Sequence, residues 1–177
     1  MSRKTIVFIA ASLDGFIAGP NDNLSFLDLV AKEGEDYGYA AFMSGVDTVI
    51  LGRKTYDWVM KQVPVFPHAD RESYVITRTA KPTLGKTVFY TGNPVTLVKE
   101  LAQKEGKNIF IDGGAELVNS LLKEQQVDEI YLSLIPVILG NGVRLFHTGN
   151  PMQTSTLASV KQFSTGLVQL HYVLAKP

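Results

Sequence analysis

Two predicted strands each end in glycine and lead directly into a helix, an arrangement suited to phosphate. The first junction is Ile50–Tyr56 (ILGRKTY), where Gly52 ends a buried strand and Arg53, Lys54 and Thr55 open the next helix. A helix N-terminus offers unpaired amide hydrogens and a partial positive charge, and both favour a bound phosphate group. The alternative is an ordinary strand–helix turn whose arginine and lysine are solvated.

The second junction is Ile111–Leu117 (IDGGAEL), in which Gly113 and Gly114 separate a buried strand from a helix that begins with Ala115 and Glu116. Adjacent glycines let the backbone approach a ligand closely and adopt torsions closed to other residues. A tight turn without a ligand is the alternative. Neither junction matches the G-x-G-x-x-G fingerprint, so we do not predict an ordinary Rossmann site.

A third strand end, Val75–Thr79, places Arg78 between the hydroxyls of Thr77 and Thr79. A guanidinium flanked by hydroxyls can hold a ribose 2′-phosphate, which would select NADPH over NADH. The alternative is a solvated arginine in a loop.

Other chemistries find little support in the sequence. The chain has no cysteine, which excludes disulfides, thiol catalysis and cysteine-ligated zinc. The histidines, His68, His147 and His171, are isolated, and we expect no metal site. A G-x-S-x-G elbow and a phosphate-binding P-loop are both absent.

The composition predicts one α/β domain over residues 1–177 in the cytoplasm. Seventeen basic residues balance seventeen acidic ones, so no electrostatic footprint favours nucleic acid or an anionic membrane. The apolar run Thr5–Ala11 is too short to span a bilayer, and Asp14–Gly15 then turns the chain.

Buried apolar runs alternate with amphipathic stretches, which predicts a mostly parallel sheet with helices on both faces and antiparallel strands at one edge. We expect a helix over Asn21–Ser44, broken near Gly34 and Gly38. The other predicted helices are Arg53–Met60, Pro94–Glu105 and Ala115–Glu124. The predicted strands are Lys4–Ala11, Asp47–Gly52, Glu72–Thr77, Lys86–Tyr90, Asn108–Asp112, Val127–Ile138 with a disturbance at Pro136, and a closing hairpin of Val160–Phe163 and Leu167–Leu174.

Four segments in order carry a family likeness: Ser12–Gly19 (SLDGFIAG), Gly52–Tyr56 (GRKTY), Asp112–Leu117 (DGGAEL) and Ile135–Gly140 (IPVILG). Together they resemble the reductase domain of bacterial riboflavin biosynthesis, a relative of dihydrofolate reductase, from Lys4 to Val173. The resemblance implies the three-layer dihydrofolate-reductase-like fold. Many such reductases are fused to a zinc deaminase, and because this sequence has no cysteine we expect a free-standing reductase domain.

The resemblance also implies where NADPH would bind. Its phosphates and adenosine end would contact Gly52, Arg53, Lys54 and Thr55, and its 2′-phosphate would face Thr77 and Arg78. The pyrophosphate would lie against Gly113, Gly114, Ala115 and Glu116, and the nicotinamide would border Ala10 and Ile17. As in dihydrofolate reductases, we predict a cis peptide between Gly113 and Gly114.

Two acids are the candidates for catalysis. Asp14 begins the segment Asp14–Asn23, which by resemblance is a mobile loop that closes over the nicotinamide and excludes water. Asp36 lies sixteen residues before Gly52, the spacing of the substrate-binding acid in dihydrofolate reductase, and on a helix it would face the cleft near Phe26, Leu27 and Tyr39. An ordinary turn at Asp14 and a solvated acidic cluster around Asp36 are the alternatives.

The leading hypothesis is therefore an NADPH-dependent reductase of a small molecule, a ribosylamino-pyrimidine or a related heterocycle. Dihydrofolate reduction is the nearest alternative activity. A module that binds NADPH without turnover is the alternative from another class. By resemblance we expect a homodimer in which Leu167–Leu174 forms part of the interface.

Overall fold

Short apolar runs form most of the strands. The computed structural model describes residues 3–176. Its strands are β1 (Thr5–Ser12), β2 (Phe16–Ala18), β3 (Val46–Gly52), β4 (Glu72–Ile76), β5 (Thr87–Tyr90), β6 (Asn108–Gly113), β7 (Glu129–Ile135), β8 (Val143–Arg144), β9 (Ser155–Gln162) and β10 (Val168–Leu174). Its α-helices are α1 (Tyr39–Ser44), α2 (Arg53–Gln62), α3 (Pro94–Ala102) and α4 (Ala115–Lys123). No helix within residues 3–176 is long and apolar enough to cross a membrane.

Eight strands form the central sheet in the order β5-β4-β3-β6-β1-β7-β10-β9. The six strands from β5 to β7 are parallel neighbours, and β10 pairs antiparallel with both β7 and β9. The prediction of a mostly parallel sheet with an antiparallel edge is therefore confirmed. Because the six parallel strands all end at one edge of the sheet, the loops that follow them lie together there.

Apolar side chains cover both faces of the parallel strands. On one face, Ile50 and Ile111 are buried beneath α3 and α4, and we call this the α3/α4 face. On the other, Val49, Leu51 and Phe110 are buried with side chains of α1 and α2, and we call this the α1/α2 face. Full burial of such a side chain stabilises the fold by about 1.5–3 kcal/mol. The prediction of helices on both faces is confirmed.

The prediction of a long helix over Asn21–Ser44 is wrong for the first two thirds of that segment. Two short 3-10 turns, Pro20–Asp22 and Ser25–Val30, come first, and only Tyr39–Ser44 is α-helical. Gly34 and Gly38 adopt φ of 77° and 82°, a left-handed conformation that interrupts a helix instead of bending it.

Two strand boundaries and one strand pairing also differ from the prediction. Strand β7 stops at Ile135, so Pro136–Ile138 belongs to the following loop. The closing hairpin is present, but its first strand is β9, which begins five residues before Val160. The pairing of β2 with β8 was not predicted, since both strands are too short to show a pattern.

Asp14 ties the loop after β1 to the loop after β7. Its carboxylate accepts hydrogen bonds from the Ser12 hydroxyl at 2.6 Å and from the amides of Leu139 and Gly140 at 3.0 and 2.7 Å. Next to this tie, a side chain on Gly142 would lie 2.0 Å from the carbonyl oxygen of Ala18, so the two loops touch through backbone. The start of the predicted Asp14–Asn23 lid is thus docked onto the second loop, while closure stays a prediction.

The same contacts set the charge of Asp14. The hydrogen bond from Ser12, followed by those from Leu139 and Gly140, lowers the pKa of Asp14 to about 2 from an ordinary 3.8, although desolvation opposes the shift. The Asp14 carboxyl group is therefore ionised at neutral pH and acts as a hydrogen-bond acceptor. It positions a loop and is poorly suited to donate a proton.

We predict that Asp14→Asn loosens the loop after β7, because an amide NH₂ replaces one of the two oxygens that accept backbone hydrogen bonds. Protection of the Leu139 and Gly140 amides should fall in hydrogen–deuterium exchange, while Asp28→Asn, a change at an exposed acid, leaves it unaltered. Since the folded pKa of about 2 lies below the ordinary 3.8, the stabilisation is present above pH 4 and is lost as the pH falls through 2. Equal protection of both amides in the wild type and Asp14→Asn would contradict the tie.

Candidate functional site

The two glycine junctions meet at the carboxyl edge of the sheet. Strands β3 and β6 are parallel neighbours, with Leu51 opposite Gly113, so both end at the same place. A Cβ on Gly52 would lie 3.5 Å from the amide nitrogen of Gly114 and 3.6 Å from the carbonyl oxygen of Gly113. Segments that are sixty residues apart in sequence therefore form one backbone-lined surface, as predicted.

Each junction opens a helix that no side chain caps. Gly52 is the N-cap of α2 and Gly114 is the N-cap of α4, and neither helix has a side-chain hydrogen bond at its start. The first-turn amides of a helix have no partner within the helix. Two sets of free amides and two positive dipole ends thus lie side by side, which is the requirement for binding a diphosphate.

Charged side chains strengthen this field at α2. Arg53 and Lys54 occupy the first turn, where cations are unfavourable unless an anion is near. The Arg53 Nε atom lies 2.7 Å from both carboxylate oxygens of Asp57, while Lys54 is exposed. At α4 the first turn carries Glu116, which is exposed. An anion here would therefore contact the Glu116 amide and avoid its carboxylate.

Backbone geometry favours glycine at position 113, and open space adjoins Gly114. Gly113 has a φ of 99°, which other residues rarely adopt, and the predicted cis peptide to Gly114 is present. A Cβ on Gly114 would lie 3.5 Å from the Thr55 hydroxyl oxygen, so a side chain would fill the space between α2 and the second turn. Ala115, the first residue of α4, is buried beneath this turn.

Thr77 and Arg78 follow β4, the neighbour of β3, and extend the same edge. The Thr77 hydroxyl accepts a hydrogen bond from the Thr79 amide at 3.1 Å, and the Thr77 amide donates to the Tyr90 carbonyl at 3.0 Å. Arg78 is exposed and has no ion pair within residues 3–176. Its guanidinium is therefore available to a ligand phosphate.

The two residues expected to border a nicotinamide pack in different apolar clusters, and their role at the cofactor stays a prediction. Ala10 lies near the end of β1 and packs with Phe26 and Leu27 on the α1/α2 side, whereas Ile17 packs against the core of the α3/α4 face. Both side chains are half-buried. Only Ala10 faces the surface that Asp112, described below, also faces.

Asp36 is not the buried acid that a long helix would have supplied. It lies in the turn before α1, is exposed, and accepts hydrogen bonds from the amides of Gly38 and Ala40, each at 2.9 Å. These bonds, that from Ala40 first, lower the pKa of Asp36. Because α1 begins only at Tyr39, Asp36 serves the start of this short helix and lies outside the apolar pocket expected for it.

The acid that faces the sheet surface is Asp112, which sequence reasoning passed over. It alternates with Ile111 and so shares the α1/α2 face with Phe110, next to Phe8 on β1. Its side chain is 26% exposed and accepts no hydrogen bond from residues 3–176. The sequence offered a signal, since Asp112 opens the DGG segment, but the residues predicted there to bind cofactor were Gly113, Gly114, Ala115 and Glu116.

Two further residues flank Asp112. The Nε2 atom of His68 lies 3.6 Å from its Oδ2 atom, and the His68 side chain is only 7% exposed. On the other side, burial and then the charge of Asp112 raise the pKa of Tyr39, so its phenol stays protonated, although Arg71 opposes the shift. No pattern in the sequence brings His68 or Tyr39 to this place, because the contacts are tertiary.

Part of the α1/α2 face around Asp112 is incompletely covered, and we call this partly exposed surface the cleft. Phe8, Ala10 and Asp112 are half-buried, whereas Val49 and Leu51 on neighbouring β3 are fully buried. Aromatic side chains of α1 border the open surface on one side, with the Tyr39 ring 5.7 Å from that of Phe8. His68 borders it on the other, its ring 6.1 Å from that of Phe110.

Known proteins share this architecture. The chain is 44% identical to the uncharacterized protein YwjB of Bacillus subtilis over 99% of its own length and 100% of that protein. A Shewanella protein whose name assigns it provisionally to riboflavin biosynthesis is 29% identical, with a TM-score of 0.87 over 99% of this chain and 100% of the other.

A Thermotoga maritima protein has the same fold at 13% identity, with a TM-score of 0.72. It is named a diaminohydroxyphosphoribosylaminopyrimidine deaminase/5-amino-6-(5-phosphoribosylamino)uracil reductase. The match covers 98% of this chain and 57% of that one. The model of the RibD C-terminal domain family matches residues 3–169. The chain therefore belongs to the RibD C-terminal domain family and has its dihydrofolate-reductase-like fold.

Proposed function

We propose that the protein is an NADPH-dependent reductase of a ribosylamino-pyrimidine such as 5-amino-6-(5-phosphoribosylamino)uracil. The observation that carries this proposal is the meeting of two uncapped helix N-termini at adjacent strand ends. Membership of the RibD C-terminal domain family and the name of the Thermotoga relative support the reductase class. A cytoplasmic location stays a prediction from the sequence.

The residues at the sheet edge fit a dinucleotide. The amides that follow Gly52 and Gly114 would hold the pyrophosphate, with Thr55 and Lys54 beside it, and Arg78 would pair with the 2′-phosphate. A side chain at Gly52 or Gly114 would occupy the space between the two turns. When bound, the cofactor supplies the hydride, and the protein orients the reactants.

The cleft on the α1/α2 face fits the second reactant. Tyr39, which is 36% exposed, presents aromatic surface for a flat ring, whereas the Phe8 ring is stacked on Phe42 and Tyr131 beneath it. The Asp112 carboxylate can accept hydrogen bonds from ring or exocyclic N–H groups. Asp112 directly precedes Gly113, so a ring bound to it would lie close to the cofactor. The Asp14–Asn23 segment, anchored at Asp14, would exclude water over both.

The alternative activities have less support. Dihydrofolate reduction relied on a buried acid at position 36, and Asp36 is exposed and hydrogen-bonded to backbone. A module that binds NADPH without turnover would need the cofactor surface alone. An open acid in an adjoining cleft favours an enzyme over such a module.

The experiment that tests the proposal follows NADPH oxidation with 5-amino-6-(5-phosphoribosylamino)uracil, and separately with dihydrofolate in the presence and absence of methotrexate. We expect turnover of the pyrimidine only. Asp112→Asn should lower kcat/KM by roughly 100-fold without changing the Kd for NADPH, while Glu124→Gln, at a remote exposed acid, changes neither. Methotrexate-sensitive turnover of dihydrofolate alone, or saturable NADPH binding without any turnover, would contradict the proposal.

Cofactor choice gives a separate prediction. Arg78→Ala should weaken NADPH binding by roughly 1.5–3 kcal/mol, since one charge-assisted contact is lost, and should leave NADH binding almost unchanged. Isothermal titration with both nucleotides measures the difference. An equal loss for NADPH and NADH would show that Arg78 does not contact the 2′-phosphate.

We also propose that the protein is a homodimer through the α3/α4 side of its antiparallel strands. Two apolar rows cross β7, β10 and β9 on this side, one formed by Leu132, Leu170 and Val160 and the other by Ile130, Tyr172 and Leu157. Val160 is 53% exposed and Leu157, in the next row, is 49% exposed. A second copy would cover an apolar surface that lies beyond α4.

A charge on this surface should separate the copies. We expect Val160→Lys to convert the dimer to a monomer in light scattering after size exclusion, because a buried ammonium at the interface would have no partner. Ser159→Lys places the same charge on the opposite face of β9 and should leave the dimer intact. A monomeric wild type, or a dimeric Val160→Lys variant, would rule out this interface.

A further inference from the structure

His68 is a buried imidazole without a hydrogen-bond partner for its ring within residues 3–176. It lies between α2 and β4, and its side chain is 7% exposed. The ring packs edge-on against Phe66 at 5.3 Å and Phe110 at 6.1 Å, which fixes its plane. Within residues 3–176 the fully enclosed side-chain polar atom without a partner is Gln153 Oε1, so the His68 ring nitrogens keep some solvent contact and an N–H there is free to donate to a nearby acceptor.

The carboxylate of Asp112 lies close to the ring. The distance from His68 Nε2 to Asp112 Oδ2 is 3.6 Å, just longer than a hydrogen bond. The other ionisable groups around this pair are Tyr39 on α1 and Arg71 before β4. Arg71 is held elsewhere, because its Nη1 atom pairs with Asp70 at 2.9 Å and its Nε atom donates to the Val46 carbonyl at 3.3 Å.

We propose that His68 is a positioning residue for Asp112, which directs its Nε2–H toward Oδ2 and leaves Oδ1 to accept the N–H groups of the substrate. This inference rests on the proposed function, since it assumes that substrate binds at Asp112. A shift of a few tenths of an ångström closes the hydrogen bond. The two aromatic contacts hold the ring, and the ring in turn holds the carboxylate.

The tautomer of His68 tests the proposal without any substrate. The chain has three histidines, so long-range ¹H–¹⁵N spectra can resolve each ring, with His147 and His171 as internal references. We expect the Nε2–H tautomer at His68, and a change in its ring ¹⁵N shifts, alone among the three, in Asp112→Asn. An Nδ1–H tautomer at His68, or ring ¹⁵N shifts of His68 that are the same in the wild type and Asp112→Asn, would overturn the proposal.

A matched pair of variants tests the effect on turnover. His68→Leu fills the space without a donor, whereas His68→Gln returns an N–H near the position of Nε2. With 5-amino-6-(5-phosphoribosylamino)uracil we expect kcat/KM to fall roughly 10- to 100-fold in His68→Leu and to be largely restored in His68→Gln, with the Kd for NADPH unchanged in both. Wild-type turnover in His68→Leu, or an equal loss in both variants, would overturn the role of the donor.

Failure of the proposed function can be distinguished from failure of the positioning role of His68. If the wild type binds NADPH but does not turn over the pyrimidine, the proposed function fails, and the tautomer spectra still decide whether His68 and Asp112 are coupled. If the wild type is active and His68→Leu is equally active, the proposed function stands and the positioning role fails.

Discussion

Two positive helix ends held side by side are the physical constraint on which this structure depends. Strands β3 and β6 are parallel neighbours that end together, and each passes through glycine into a helix without a side-chain cap. Each helix end carries roughly half a positive charge, and Arg53 and Lys54 add to it. Of the nearby acids, Asp57 pairs with Arg53, and Glu116 in the first turn of α4 is exposed. The positive groups at these helix ends repel one another, and a bound diphosphate between them would attract them all.

The acidic side chains differ in whether backbone amides donate hydrogen bonds to them. Asp14 and Asp36 each accept two backbone amides, so their charges serve the local fold. Asp112 accepts none from residues 3–176 and faces a cleft whose floor is half-covered. The Asp112 carboxylate is therefore available to bind a ligand. The dinucleotide edge and the acid cleft adjoin because Asp112 and Gly113 are consecutive.

Sequence reasoning located what depends on local pattern. The continuous apolar runs of Asp47–Gly52 and Asn108–Asp112 identified buried strands, and the glycines after them marked the edge where they meet. The helix predicted over segment 21–44 was wrong before Tyr39, because Leu27 and Val30, although at helical spacing, lie in a 3-10 turn. The break predicted near Gly34 and Gly38 is present, and both glycines have left-handed φ values. The start of β9 was missed because all eight of its residues are exposed and show no alternation. His68 was set aside as isolated, since only tertiary packing brings it to Asp112.

Titration of NADPH into Gly52→Ala, beside Gly45→Ala, tests the central claim most directly. Both glycines have negative φ, and an alanine Cβ at either would meet its nearest atom at 3.5 Å, so both variants should fold as the wild type does. The Gly52 methyl group lies between the two turns, whereas Gly45 is at the opposite end of β3. A convergent site predicts that Gly52→Ala loses at least about tenfold in NADPH affinity (about 1.4 kcal/mol) and that Gly45→Ala loses none. Unchanged affinity in Gly52→Ala, or no saturable binding to the wild type, would contradict it.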